Sequence, residues 1–383
     1  MITITDSIKY VGVNDKTIDL FEGQYIVPNG VSYNSYAIMD EKIAVLDTVD
    51  KRKTEEWLDN VEIALAGRIP DYLIISHMEP DHSASIKVFL QKYPSTFVVG
   101  NEKTFNIAER FFGSIFDKKI VVKDGDELSL GKHTLRFVFA PMVHWPEVMF
   151  AYEKTEKVLF SADAFGKFGA LDVDEDWTCE ARRYYINIVG KYGATVQSAL
   201  KKAAQLDIAV ICPLHGPVLT ENLGYYIGKY NIWSSYMPED KGVTVAYSSI
   251  YGNTADAAKR LAYYLDKAGL RVEIFDLARD DMAEAVESAF RYDRLVLASI
   301  TYDGGLFPAT EQFINRLKSK NFQNRTVAFI ENGSWAPMSG KLMRAQFEAM
   351  KNITFAENSV TVASAINSDA DDALRKLSAE LAK

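Results

Sequence analysis

Tyr72-Leu-Ile-Ile-Ser-His-Met-Glu-Pro-Asp-His-Ser83 opens as an apolar strand and ends as a row of potential ligands. Tyr72 to Ser76 carry the strand, His77, Glu79, Asp81 and His82 crowd the loop behind it, and helical spacing resumes near Ser83. A strand, a donor-rich loop and a helix together point several side chains into one pocket. Pro80, with φ fixed and no N–H to satisfy, stiffens that loop. Three more ligand-type residues lie just beyond strand-like runs: His144 after the run ending near Ala140, Asp163 after Val158 to Ser161, and His215 after Ile208 to Cys212. Four histidines and three carboxylates exceed the needs of one ordinary metal ion and suit a pair. The fifth histidine, His133, sits in the polar turn Gly131-Lys-His-Thr134 and reads as a surface or capping residue.

Around this motif the first two-thirds of the chain mixes strands and helices without strict alternation. Further strand-like runs occur at Ser35 to Met39, Ile43 to Leu46, Phe97 to Val99 and Arg136 to Phe139, with helical spacing near Lys53 to Leu65, Ser83 to Lys92 and Thr195 to Leu206. A two-sheet sandwich with outer helices fits this pattern. Beyond the break Pro238-Glu-Asp-Lys-Gly242 the pattern changes. Strands at Val243 to Tyr247, Arg271 to Phe275, Arg294 to Ser299, Thr326 to Ile330 and Val360 to Ala363 alternate with helices at Thr254 to Ala268, Ala283 to Ala289, Pro308 to Leu317 and Asp371 to Leu381. Five such units predict a doubly wound parallel sheet that binds its ligand at loops after the strand ends. The expected domains are therefore residues 1–240 and 241–383.

Composition narrows the possible chemistry. At 383 residues two domains are the default, and 48% apolar with 25% charged residues excludes disordered and fibrous chains. The formal charge of −9 argues against nucleic acid as a partner, since polyanion binding needs clustered cations. With only Cys179 and Cys212, no rubredoxin site, zinc ribbon or iron–sulfur cluster can be assembled within the chain. Redox chemistry must then use nitrogen and oxygen ligands or an organic cofactor. The N-terminus lacks a basic patch followed by an apolar core, and no apolar run approaches the ~20 residues that cross a bilayer, so the expected location is the cytoplasm, with no membrane partner.

Ser248-Ser-Ile-Tyr-Gly-Asn-Thr254 lies between a strand and a helix in the C-terminal part. The hydroxyls of Ser248, Ser249 and Thr254, with Ile250, Tyr251, Gly252, Asn253 and the free N–H groups of the helix start, can cradle a phosphate through neutral donors. The loop lacks the lysine of a nucleoside-triphosphate loop and lacks GxGxxG, and a monophosphate such as that of FMN fits. Two further loops follow strands: Ser299-Ile-Thr-Tyr-Asp-Gly-Gly305 and Glu331-Asn-Gly-Ser-Trp335. Their glycines, Gly304, Gly305 and Gly333, let backbone approach a flat ring, and Tyr302 or Trp335 could pack beside it. Thr301, Asp303, Asn332 and Ser334 complete the candidate flavin contacts.

His77-x-Glu-x-Asp-His82 followed by His144, Asp163 and His215 resembles the metallo-β-lactamase superfamily. Zinc hydrolases of that superfamily usually carry His at the place of Glu79. A carboxylate there, with His144-Trp-Pro-Glu147 and Ser161-Ala-Asp163 around the later donors, resembles the flavodiiron proteins, and harder oxygen donors suit iron. The first C-terminal loop resembles the flavodoxin phosphate loop, with Tyr251 where flavodoxins often have Thr. The resemblance covers nearly the whole chain. It implies a metallo-β-lactamase-like αββα sandwich, then a flavodoxin-like domain, with two irons and FMN as cofactors. One iron would take His77, Glu79 and His144, the other Asp81, His82 and His215, and Asp163 would bridge.

The same resemblance implies reduction of dioxygen to water, of nitric oxide to nitrous oxide, or of both. A diferrous pair and a reduced flavin together hold the four electrons that dioxygen needs. It further implies a head-to-tail homodimer, or a dimer of such dimers, in which the flavin of one subunit serves the diiron site of the other. With no rubredoxin extension, electrons are expected from a separate donor such as rubredoxin or a reduced deazaflavin. Asp303 departs from the Asn of many members, and a carboxylate beside the flavin would lower its reduction potential. Tyr25, Trp145 and Tyr192 could border the diiron pocket but read first as packing residues. Two rival readings are a dizinc hydrolase with an accessory flavodoxin-like domain and a flavin electron carrier with a structural metal.

Overall fold

Short β-branched and aromatic runs bounded by turns become the strands of two facing sheets in the N-terminal part of the chain. The computed structural model describes residues 2–383. These divide into two units, one running to Tyr185 and resuming at Ala194–Asn231, the other comprising Ile186–Gly193 and Ile232–Lys383.

In the first unit a seven-stranded sheet runs in the order Ile2–Thr3, Ile8–Tyr10, Tyr36–Ile38, Ala44–Leu46, Tyr72–Ile74, Phe97–Gly100 and Lys119–Val121. A five-stranded sheet runs Glu127–Ser129, Thr134–Phe139, Met149–Glu153, Val158–Phe160 and Val210–Cys212. Ile38, Leu46, Ile74 and Val99 from the first sheet meet Phe137, Met149 and Phe160 from the second in one apolar cluster, which is the core of a sandwich. Outer helices bury one stripe each. Thr54–Leu65 buries Trp57, Leu58, Val61, Ala64 and Leu65, and it ends where Ala66 turns left-handed (φ 50°).

The expected single helix Ser83 to Lys92 is instead a turn, Pro80–Ser83, followed by Ile86–Lys92. Pro80 opens the turn from its first position, where its missing N–H costs nothing, so Asp81 and His82 ride on a helical turn rather than a loop. The strand Met149–Glu153 and the helices Glu102–Phe112, Trp177–Tyr184 and Leu223–Ser234 do not stand out as simple periodicity. Glu102–Phe112 is announced instead by its ends: Asn101 and Thr104 form a reciprocal capping box.

The second unit is built on a parallel sheet in the order Val272–Asp276, Asp240–Tyr247, Tyr292–Tyr302 and Arg325–Asn332. Ile353–Phe355 and Val360–Val362 pair in succession with Arg325–Asn332, so the last strand is interrupted. Numbered by chain order this is the 2-1-3-4-5 arrangement of flavodoxin-like folds. Val243, Val245, Val296 and Ile330 are fully buried because helices cover both faces. Helix Ser339–Glu348 was not expected from periodicity; Thr301 Oγ1 accepts the N–H groups of Met338 and Ser339 at its start (2.8 and 3.1 Å). Among the described residues no helix is long and apolar enough to cross a membrane.

Candidate metal centre and flavin cavity

All seven donors singled out from the sequence converge in the first unit. Asp47 Oδ1 accepts the N–H groups of Ser76 (2.7 Å) and His77 (3.3 Å), which fixes the strand end where the donor motif begins. Glu79 stays extended as the residue before the Pro80 turn, and the His82 carbonyl accepts from both Thr48 N–H and Thr48 Oγ1 (2.9 and 2.7 Å). The Asp163 and His215 loops are tied together by a Leu214 N–H bond to the Ala162 carbonyl (2.8 Å). His77, His82 and Asp163 are fully buried and His215 is nearly so.

The donors form two sets. His77, Glu79, His144 and Asp163 offer ligand atoms that lie within 4.8 Å of one another, as do Asp81, His82 and His215. Asp163 Oδ2 faces the first set, 3.2 Å from His77 Nε2 and 3.3 Å from His144 Nε2. Its Oδ1 faces the second, 3.3 Å from His82 Nε2 and 3.8 Å from His215 Nε2. Within the sets, Glu79 Oε2 is 2.9 Å from His144 Nε2, and Asp81 Oδ2 is 3.3 Å from both His82 and His215 Nε2. The pocket is thus two donor sets sharing one carboxylate.

Electrostatics favour cations here. Burial alone would pull the imidazoles down, but the facing Asp163 carboxylate and bonds to Glu147 and Glu79 hold His77 well above the usual range. His144 is raised to about 9 by the Asp163 and Glu79 carboxylates that face its Nε2, against the same burial. Burial would raise the Asp163 and Glu79 carboxyls, yet the facing imidazoles bring both below the usual carboxylate range. Both oxygens of Asp81, both oxygens of Asp163 and His144 Nε2 are buried without a hydrogen-bond partner among the described residues. Each such orphan costs about 1–3 kcal/mol. Atoms within ion-pair range of each other yet out of hydrogen-bond alignment are aimed at a common cation. The mixed imidazole and carboxylate set therefore fits a pair of metal ions, and its oxygen content suits iron.

In the second unit a cavity of about 510 Å³ opens at the ends of the parallel strands. Ser249, Ile250, Tyr251, Asn253 and Thr254 line it from the first loop, Thr301, Asp303 and Gly304 from the second, and Asn332, Gly333, Ser334 and Trp335 from the third. Four of the expected contact residues do not line the cavity. Ser248 is buried and accepts a bond from Thr310 Oγ1 (2.8 Å), Tyr302 packs edge-on against Phe307, and Gly305 pairs back onto Tyr302. Gly252 shapes the loop instead: its φ of 96° requires glycine, and its N–H bonds to Ser249 Oγ (3.1 Å). Ile300, Ala336, Met338 and Ser364 also line the cavity. Ser364 belongs to a fourth loop, after Val360–Val362, which the expectation of a strand there could have exposed. Among the described residues buried Thr254 Oγ1 has no partner beside a helix N-terminus, so the loop fits a phosphate monoester and the cavity a flavin mononucleotide.

His133 corrects its surface reading. It is buried, its N–H donates to Asp40 (2.7 Å), and its Nδ1 lies 3.2 Å from Glu153. Trp145 meets the His77 ring edge-on at 5.3 Å, so it borders the metal pocket, whereas Tyr25 packs on Phe168. Sequence reading assigned no role to Glu147, Asp47 or Ser32. Glu147 lies three residues after His144, but nothing in its spacing reveals that it points back at His77.

Comparison with known proteins agrees with the two fold types. Residues 31–216 match the family model described as ODP family beta lactamase, and residues 244–359 match the flavodoxin domain. The chain is 30% identical over 349 residues to the anaerobic nitric oxide reductase flavorubredoxin of Vibrio vulnificus, covering 87% of this chain and 70% of that protein. It is 28% identical over 371 residues to the nitric oxide reductase of Moorella thermoacetica, covering 94% and 93%. Its fold matches the rubredoxin oxygen:oxidoreductase of Desulfovibrio gigas with a TM-score of 0.93 at 24% identity, over 100% of this chain and 97% of that one. The two domain matches in this order, the relative at 30% identity and the shared fold establish that the chain belongs to the flavodiiron protein family, oxidoreductases that use FMN and a diiron centre.

Proposed function

We propose that this protein reduces dioxygen to water, nitric oxide to nitrous oxide, or both, with electrons relayed through FMN. The observation that carries this reading is the pair of donor sets on either side of Asp163. His77, Glu79 and His144 would hold one iron, Asp81, His82 and His215 the other, and Asp163 would bridge. The reduced irons and flavin together supply up to four electrons. Glu79, Asp81 and His144 are the least buried of the seven donors, with side chains 9–16% exposed, so access is through a narrow rim that suits a small neutral gas. Thr254 and the first-loop N–H groups would hold the FMN phosphate, while Thr301, Asp303, Asn332 and Trp335 would flank the ring.

We put the domain division near residue 240, and a head-to-tail homodimer, or a dimer of such dimers, would bring the flavin of one copy beside the irons of the other. A separate donor of the rubredoxin type or a reduced deazaflavin would supply electrons in the cytoplasm. The decisive experiment reduces purified protein anaerobically, quantifies iron and flavin, and adds oxygen and nitric oxide separately. Gas consumption with paired iron and bound FMN is expected. Zinc with hydrolytic turnover, or flavin cycling without gas consumption, would overturn the reading.

A further inference from the structure

The imidazoles of the metal centre are not backed alike. His77 Nδ1 faces Glu147 Oε1 at 2.9 Å, and the same oxygen accepts Met78 N–H at 2.8 Å. Since Oε1 already accepts one N–H, it is an acceptor toward the ring as well, so His77 carries its hydrogen on Nδ1 and presents Nε2 to the pocket. Glu147 is fully buried, and Asn101 Nδ2 holds its carbonyl at 2.5 Å. That same Asn101 caps the helix Glu102–Phe112, so the carboxylate is anchored to a rigid element. On the other side, His215 Nδ1 meets only the Ser32 carbonyl at 2.7 Å, and His82 Nδ1 is buried with no hydrogen-bond partner among the described residues. A carboxylate behind an imidazole raises its donor strength more than a neutral carbonyl does, and it fixes the ring orientation.

We infer that Glu147 is a positioning residue that makes the His77–Glu79–His144 position the tighter of the two metal positions. This rests on the two-metal reading above. An amide at residue 147 keeps an oxygen for the His77 and Met78 N–H groups but removes the negative charge that strengthens the ring as a donor.

The test uses full-length, FMN-loaded protein stripped of metal with a chelator and titrated anaerobically with ferrous iron, read by ⁵⁷Fe Mössbauer spectroscopy. Two separable binding steps are expected. Glu147→Gln should weaken one step about 10- to 100-fold and leave the other within about threefold. In a His215→Ala background, which disables the opposite position, Glu147→Gln should weaken the iron that remains by the same factor. If wild-type protein takes up no second iron, the two-metal reading fails. If it takes up two and Glu147→Gln leaves both steps unchanged, or weakens both equally, the inference fails while that reading stands. Imidazole ¹⁵N spectra of the wild-type protein supply a check that needs no variant: hydrogen on His77 Nδ1 supports the inference, and an Nδ1 without hydrogen overturns it.

Discussion

At the metal centre seven side chains converge with exposures of 16% or less, whereas the flavin cavity is rimmed by Tyr251 and Trp335, each 92% exposed. The first site is made of buried charges that need one another. The second is made of loops whose backbone and hydroxyls need only to be in the right place. A buried charge that loses its partner is costly, because its desolvation is no longer compensated. An exposed aromatic that is truncated forfeits contact area and little else. The two sites should therefore respond to substitution very differently.

The largest effect is expected at the shared carboxylate. Asp163→Asn should lower iron content at both positions, lower gas consumption by more than the ~100-fold ceiling typical of supporting residues, and leave FMN content unchanged. Iron analysis beside flavin absorbance decides this, and retention of both irons would break the contrast between the sites. Glu79→His should shift the centre toward zinc, because a softer imidazole replaces an oxygen donor. The iron-to-zinc ratio after growth with both metals checks it, and an unchanged ratio counts against Glu79 as a ligand.

At the flavin cavity the effects should be smaller and confined there. Gly252→Val forces a β-branched residue to a φ of 96°, at about 1–3 kcal/mol. The FMN dissociation constant should rise about tenfold or more in fluorescence titration, with iron content intact. Trp335→Ala should weaken FMN by about 0.5–1.5 kcal/mol. The smallest effect is at Asp303, whose carboxylate lines the cavity. Asp303→Asn should raise the flavin midpoint potentials by roughly 30 mV, equivalent to about 1.4 kcal/mol for a two-electron couple. Potentials that stay in place would mean that the carboxylate does not face the ring.

Both sites were legible in the sequence because their residues follow strand ends, and strand ends of layered α/β domains are where side chains from separate segments meet. His77 to His82 announce themselves as a compact cluster, and His144, Asp163 and His215 each follow a recognisable apolar run. The loops Ser248 to Thr254 and Glu331 to Trp335 carry glycine and hydroxyl chemistry that reads locally. Less legible were features set by distance. Helix Ser339–Glu348 owes its start to Thr301, 37 and 38 residues before its bonded N–H groups. His133 is buried by Asp40 and Glu153, neither adjacent to it in sequence.

Residue types, their order and their place after strands belong to the chain as written. They determine two sheet architectures, seven donors and three loops at the ends of the parallel strands, because periodicity and turn chemistry are local properties. What only the tertiary structure decided is which donor shares which set, that Asp163 presents one oxygen to each, and that Glu147 stands behind His77 while Ser32 stands behind His215. Those pairings join residues separated by 70 positions for Glu147 and 183 for Ser32, and contacts of that range depend on packing across sheets rather than on neighbouring sequence.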